Sequence, residues 1–162
     1  MTPEEADTRR ALLLQSLEVE DGLMTQMAEA IPEGRLAWKP DAAKCRPIGE
    51  LAIHAARAGR WFMRMVDGLP PPEETAPQPT DRAALLDMIQ REQARFIERL
   101  GAYAPKKLAE GCAAVGGGFS NIEVLTWQRD HMIHHRAQVG LYLRLMGAPV
   151  PSTYGPSGDE EA

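Results

Sequence analysis

Residues 69–79 read Leu69-Pro70-Pro71-Pro72-Glu73-Glu74-Thr75-Ala76-Pro77-Gln78-Pro79, with five prolines in eleven positions. A helix cannot run through this segment, because proline lacks the backbone donor and clashes with the preceding turn. In polyproline II form, at about 3.1 Å per residue, it reaches roughly 30 Å, the length of a helix of about 20 residues. Short loops leave neighbouring helices antiparallel, whereas parallel neighbours need a connection that spans the bundle. The segment therefore predicts that the helices on either side of it run parallel.

Working outward, four long helices are expected. Thr2-Pro3-Glu4-Glu5 joins a capping threonine, a proline at the first helical position and a glutamate at the third, and Leu13, Leu17, Met24, Met27 and Ile31 follow at helical spacing until Pro32 and Gly34. Pro47 suits the first turn of a second helix, whose apolar stripe Ile48, Leu51, Ala55, Phe62 and Met65 runs to Gly68. Thr80 and Asp81 cap a third, which carries Leu85, Met88, Ile89, Phe96 and Leu100 before Gly101. Ser120-Asn121-Ile122-Glu123 is a capping box for a fourth, with Leu125, Met132, Val139 and Met146 ahead of Gly147 and Pro149. Strand signals are missing. The expectation is an all-α, up-down-down-up four-helix bundle with the long crossover between helices 2 and 3, residues 1–150 forming one domain and residues 151–162 a C-terminal tail.

The composition narrows the function. A chain of 162 residues buries a core without a metal or disulfides, so a bound metal would serve function. The formal net charge of -5, with basic residues scattered among acids, argues against nucleic-acid or anionic-membrane binding. No run of about 18 apolar residues occurs and the N-terminus does not resemble a secretory signal, so a cytoplasmic protein is expected. Cys45 and Cys112 form no CxxC pair and are expected as free thiols that pack.

Three of the four histidines lie in Asp130-His131-Met132-Ile133-His134-His135-Arg136. On a helix, His131 and His135 share one face one turn apart, and His134 is three residues from His131 and could replace His135 in the pair. His54 lies roughly 10 Å into the second helix, and the midpoint of His131 and His135 roughly 20 Å into the fourth. Only if these helices are antiparallel, as the crossover requires, do the levels coincide in a layer about 30 Å deep.

Three imidazoles on facing helices suit Zn, Ni, Fe or Mn and leave coordination positions open for water or a thiol. Trp61, Gln138 and Tyr142 are candidates to line the pocket, although core packing is the default for Trp61. His134 is expected in an outer layer or on the surface, held by Asp130 at i, i+4. Glu20 and Glu92 are expected at partly exposed edges of their stripes, and Glu50 in the first turn of the second helix. Gly116-Gly117-Gly118 lacks a phosphate-loop pattern and reads as a flexible lead-in to the fourth helix.

Together these features resemble the DinB-like (damage-inducible) superfamily. The resemblance rests on Leu36-Ala37-Trp38-Lys39-Pro40, Glu50-Leu51-Ala52-Ile53-His54, His131 through Gln138 with Leu141-Tyr142-Leu143-Arg144, and the ending Tyr154-Gly155-Pro156-Ser157-Gly158-Asp159-Glu160. Ala137 stands where the family pattern has glycine, at a packing position. The resemblance implies a homodimer with a divalent metal held by His54, His131 and His135. The superfamily that the chain resembles includes thiol-dependent transferases and isomerases that use a low-molecular-weight thiol, and the leading expectation for this chain is a metal-dependent transferase or hydrolase. The alternative is a non-catalytic dimeric stress or interaction protein with a structural or vestigial metal site.

Overall fold

The computed structural model describes residues 1–41, 44–73, 78–156 and 158–159. Residues Glu74–Pro77 of the expected polyproline crossover, and Ser157 and residues 160–162 of the expected tail, lie outside the described residues. The helices are α1 (Pro3–Glu29), α2 (Ile48–Asp67), α3 (Arg82–Ala102), the short α4 (Pro105–Ala109) and α5 (Asn121–Leu145). The described residues contain no strand, only an isolated bridge between Gly111 and Ser120.

The helix starts follow from capping. The hydroxyl of Thr2 accepts from the Glu5 backbone at 3.1 Å while the Glu5 carboxylate accepts from the Thr2 backbone at 2.7 Å, so two donors the helix cannot satisfy internally are paired. Ser120 and Glu123 form the same reciprocal box at the start of α5. Asp81 caps α3 by accepting from the Ala84 backbone at 2.8 Å. α2 ends at Gly68 in the left-handed conformation.

Cross-helix pairs set the directions. Arg9 meets Glu123 at 3.1 Å near the starts of α1 and α5, and Arg136 meets Glu20 further along, so these two helices are parallel. Arg60 pairs with Glu92 and Arg99 with Asp67, which makes α2 and α3 parallel. Two arginines tie α1 antiparallel to α3 through chain ends: Arg10 donates to the Tyr103 carbonyl at 2.7 Å, and Arg82 donates to the Glu29 and Ile31 carbonyls at 3.1 Å each. Cations at these carbonyl-rich ends also complement the helix dipole. α1 and α2 face each other across the diagonal, each packed against α3 and α5. The up-down-down-up bundle is therefore as expected, around a core that includes Leu17, Met24, Ile53, Ile89, Leu125 and Met132.

Several local expectations are corrected. The stretch between α3 and α5 contains α4 and a short 3₁₀ turn, Ala113–Val115, neither of which has a hydrophobic repeat long enough to announce it. The glycines read as a flexible lead-in instead build a defined turn: Gly116 and Gly117 take φ of 73° and 75°, conformations that disfavour a side chain, and the Gly117 backbone donates to the Cys112 carbonyl at 2.9 Å. Glu20 and Glu92 are not edge residues. They are 5% and 7% exposed and are ion-paired with Arg136 and Arg60. The chain after α5 is tied back to the bundle, as the Tyr154 hydroxyl donates to Glu20 at 2.6 Å and accepts from Arg136 at 2.7 Å. Cys112 is buried, with its thiol toward the Met65 carbonyl, and both cysteines are free. No helix among the described residues is long and apolar enough to cross a membrane.

Two glycines inside helices carry opposite expectations. A Cβ at Gly59 of α2 would stand 2.7 Å from Cδ2 of the buried Phe96, whereas at Gly22 of α1 it would meet nothing within 4 Å. Gly59→Ala should lower stability, because overpacking by about 1–3 kcal/mol exceeds a helix-propensity gain of at most about 1 kcal/mol. Gly22→Ala should raise stability by about 0.5–1 kcal/mol. Urea unfolding of both variants checks the signs.

Asp21, on α1 next to Glu20, has its carboxyl pushed up to about 7 by burial and then by the Glu20 charge. The folded chain therefore holds a proton that the unfolded chain loses near pH 4. Stability from this group is full below about pH 4 and falls as pH rises to about 7. Asp21→Asn should leave the melting temperature unchanged below pH 4 and raise it above pH 7, as followed by calorimetry across that range.

Candidate metal centre

α2 and α5 are antiparallel, and their facing sides bring His54, His131 and His135 together. One ring nitrogen from each lies within 4.8 Å of the others. The ring centroids of His131 and His135 are 4.3 Å apart, and His54 stands 5.1 Å from His131 and 4.8 Å from His135. Three nitrogens about 2.1 Å from one ion stand roughly 3.4–3.6 Å apart, so closure from a separation of up to 4.8 Å shortens the widest pair by at most about 1.4 Å, shared between two side chains. His54, His131 and His135 could therefore form a metal site.

Two further properties suit these rings to a cation. The Nε2 atom of His131 is buried and has no hydrogen-bond partner among the described residues. A buried polar atom left unpaired typically costs about 1–3 kcal/mol, and a coordinated ion would remove that cost. Burial, followed by the neighbouring charges of His135, His54 and His134, pushes His131 down to about 4. Burial likewise lowers His135, with His134 and Arg46 adding to the shift and a hydrogen bond to the Gln138 amide oxygen opposing it. Both are thus neutral at pH 7, the form that binds metals.

His134 does not join the triad. It is exposed, and its Nε2 pairs with Gln138 Nε2 at 2.9 Å, while Gln138 Oε1 meets His135 Nδ1 at 2.8 Å. The expected Asp130 contact is replaced, since the Asp130 carboxylate takes the Arg129 guanidinium at 2.7 Å.

A cavity of about 440 Å³ opens beside His54 and His131. Its α2 wall includes Glu50, Arg57, Trp61 and Phe62, and Pro72, Glu73 and Gln78 of the crossover close the other side. Trp61 is 46% exposed, so it is a cavity wall and not a core residue. Phe62 links it to the triad, 6.3 Å from Trp61 and 6.1 Å from His131 between ring centroids. Gln138 and Tyr142 are not among the lining residues of this cavity: Gln138 is engaged with the two histidines, and Tyr142 packs edge-on against Trp38 at 5.7 Å. Burial and a hydrogen bond with Cys45 push the Tyr142 phenol up to about 12. Two other cavities, of about 510 and 470 Å³, lie at the starts of α1 and α5 and under residues 150–156, and neither contains a histidine.

Sequence reasoning missed Arg57 and the crossover as parts of the wall. Arg57 was recoverable, being three residues after His54 on the same helix face. The crossover was not, because proline-rich composition gives length without saying over which face the chain passes.

Comparison with known proteins yields consistent matches. A model of the DinB family matches residues 4–162. The Bacillus subtilis protein YrdA is 27% identical over 130 residues, 80% of this chain and 70% of that protein. The crystal structure of a DinB-like protein from Bacillus cereus aligns with a TM-score of 0.72 at 25% identity, covering 88% of this chain and 95% of that one. A DinB-like protein of Bacillus subtilis, YjoA, aligns with a TM-score of 0.71 at 19% identity over 88% of this chain and 96% of its own, a likeness of fold.

In metal-free protein the His131 ring should titrate near pH 4, well below the ordinary value of about 6.5. The unfolded chain then binds more protons between those values, so stability rises with pH from about 4 to 6.5 through this group. NMR titration of the histidine rings measures the shift directly.

Proposed function

Because the chain belongs to the DinB family and draws three imidazoles to one point, we propose that it binds one divalent metal ion through His54, His131 and His135. On this reading it is a metal-dependent transferase or hydrolase. The observation that carries the metal assignment is the buried, unpaired Nε2 of His131 beside the two other rings. Zn, Ni, Fe and Mn are the candidates, since imidazole suits the first three and open positions admit the last.

Among the described residues lining the cavity there is no serine, threonine, cysteine, lysine or tyrosine. None of the described lining residues thus offers a hydroxyl, thiol or amine nucleophile, which favours an attacking group that enters from outside. A bound metal supplies a Lewis acid that acidifies a thiol or a water, which fits a reaction in which a low-molecular-weight thiol or water attacks the second substrate. Trp61 and Phe62 would hold an apolar part of the substrate against the α2 wall, and the crossover residues would screen it from bulk water.

The same lack of a hydroxyl, thiol or amine among the described lining residues also supports a second reading, a non-catalytic dimeric stress or interaction protein in which the metal would tie α2 to α5. Loss of thermal stability on chelation, with no turnover of thiol or ester substrates, distinguishes it.

Protein purified without a histidine tag should contain about one metal ion per chain by elemental analysis. His54→Ala and His135→Ala should each lose most of it while keeping the helical circular dichroism spectrum. Metal-free protein after growth and dialysis in the presence of all four metals would overturn the assignment.

A further inference from the structure

The three residues His134, His135 and Gln138 sit within one turn of α5, and their hydrogen bonds form a continuous chain from the surface to the metal centre. Gln138 Oε1 lies 2.8 Å from His135 Nδ1, and Gln138 Nε2 lies 2.9 Å from His134 Nε2. An amide oxygen only accepts, so His135 Nδ1 must carry the proton. A metal-binding imidazole is the neutral ring, which carries one proton on its two nitrogens. With the proton on Nδ1, the lone pair is on Nε2. An amide nitrogen only donates, so His134 Nε2 must be bare, with its own proton on Nδ1.

We propose that Gln138 and His134 are positioning residues for the metal centre: Gln138 holds His135 as the Nδ1–H tautomer, leaving Nε2 as its metal-binding atom, and His134 holds the Gln138 amide in the required sense. The proposal rests on the metal reading above and adds how the ligand is prepared. Only one other arrangement satisfies the same three groups. With the amide turned over, its nitrogen would donate to His135 Nδ1, the proton of His135 would move to Nε2, and His134 Nε2 would donate to the amide oxygen. In that arrangement His135 cannot bind a metal through Nε2. The chain thus links the ligand state of a half-buried imidazole to the tautomer of an exposed one.

The spacing makes this economical. Residues 134 and 138 are one turn apart, as are 131 and 135, and 135 is three residues before 138, so a helical backbone alone brings all of these pairs into reach. A partner on the far nitrogen of a metal-binding histidine generally fixes the tautomer and the ring orientation, and its loss commonly weakens metal binding about 10- to 100-fold. Here that partner is a neutral amide, whose sense is not fixed by its own chemistry. The third residue, His134, supplies what a carboxylate would not need.

The test uses the untagged full chain and Co(II) as the probe, with affinity from chelator competition, the visible Co(II) spectrum as a readout of ligand field, and ¹⁵N NMR of the histidine rings in metal-free protein. The expected result is His135 as the Nδ1–H tautomer. Gln138→Leu should weaken Co(II) binding about 10- to 100-fold. Gln138→Glu, which keeps an acceptor toward His135, should return affinity to within a few-fold of the wild type. His134→Leu should show a smaller loss than Gln138→Leu. His135 as the Nε2–H tautomer, full affinity in Gln138→Leu, or Gln138→Glu as weak as Gln138→Leu would each overturn the proposal. Co(II) binding that needs His54 but not Gln138 sinks this inference alone. Failure of the wild-type chain to bind Co(II) sinks the metal reading with it.

Discussion

The geometry of the centre depends on one hydrogen bond between helices, from Gln128 Nε2 on α5 to the Ala55 carbonyl on α2, at 3.1 Å. Gln128 is 3% exposed, so the amide has little water to turn to and the bond is retained. It lies one turn before His131, and its acceptor is the residue after His54. A slip of one residue between antiparallel helices would shift their levels by about 1.5 Å, comparable with the closure that three ligands tolerate. The bond therefore fixes the register that the histidines need. Gly59, one turn after Ala55, leaves room for Phe96 and Gln128 to meet there.

Register is not enough, because α5 must also be rotated correctly about its axis. Three consecutive residues show how this is achieved. With successive side chains about 100° apart on a helix, His134 points outward, His135 points toward α2, and Arg136 points toward α1, where it pairs with the buried Glu20. A buried ion pair contributes little net stability, since desolvation offsets most of the attraction. Moving either partner away from the other would leave a buried charge alone at a cost of about 3–5 kcal/mol, so the pair resists rotation of α5. Tyr154 completes it by bonding to both partners and stacking 4.9 Å from the Arg136 guanidinium. Arg60, 30% exposed, pairs with the buried Glu92 and ties the other side of α2 to α3.

Much of this was legible before any coordinates. The capping boxes at Thr2 and Ser120 and the crossover length gave the helix starts and the direction of each helix, because both depend on local chemistry and chain length. The convergence of His54 with His131 and His135 followed from counting residues along helices of known direction. The burial of Glu20 and Glu92 was not legible. Each sits at the border of an apolar stripe, and whether such a residue is covered depends on an arginine more than 30 positions away in sequence. The roles of Trp61 and Gln138 were hidden for a related reason: both lie on the correct helix faces, but periodicity cannot say whether a side chain opens onto a cavity or is taken up by a neighbour. α4 was invisible because five residues are too few for any repeat.

The charge environment also separates two uses that a histidine cluster can serve. A histidine that works as a general acid or base commonly has a carboxylate partner that raises its proton affinity toward neutral pH. Here the partner of His135 is the neutral amide of Gln138, and the charges that bear on His131 are those of other imidazoles. Burial comes first among the causes and acts in the same direction, so His131 falls to about 4 and is a neutral imidazole at pH 7, without the imidazolium proton a general acid gives up. A group with so low an affinity is equally a weak base. The same features favour coordination, where lone pairs must be free of protons, close together and poorly solvated before the ligand arrives. Two carboxylates, Glu50 and Glu73, line the cavity together with Arg46, Arg57 and Arg60. The arrangement thus concentrates neutral nitrogen donors at one point, beside a cavity lined by acidic, basic and apolar side chains.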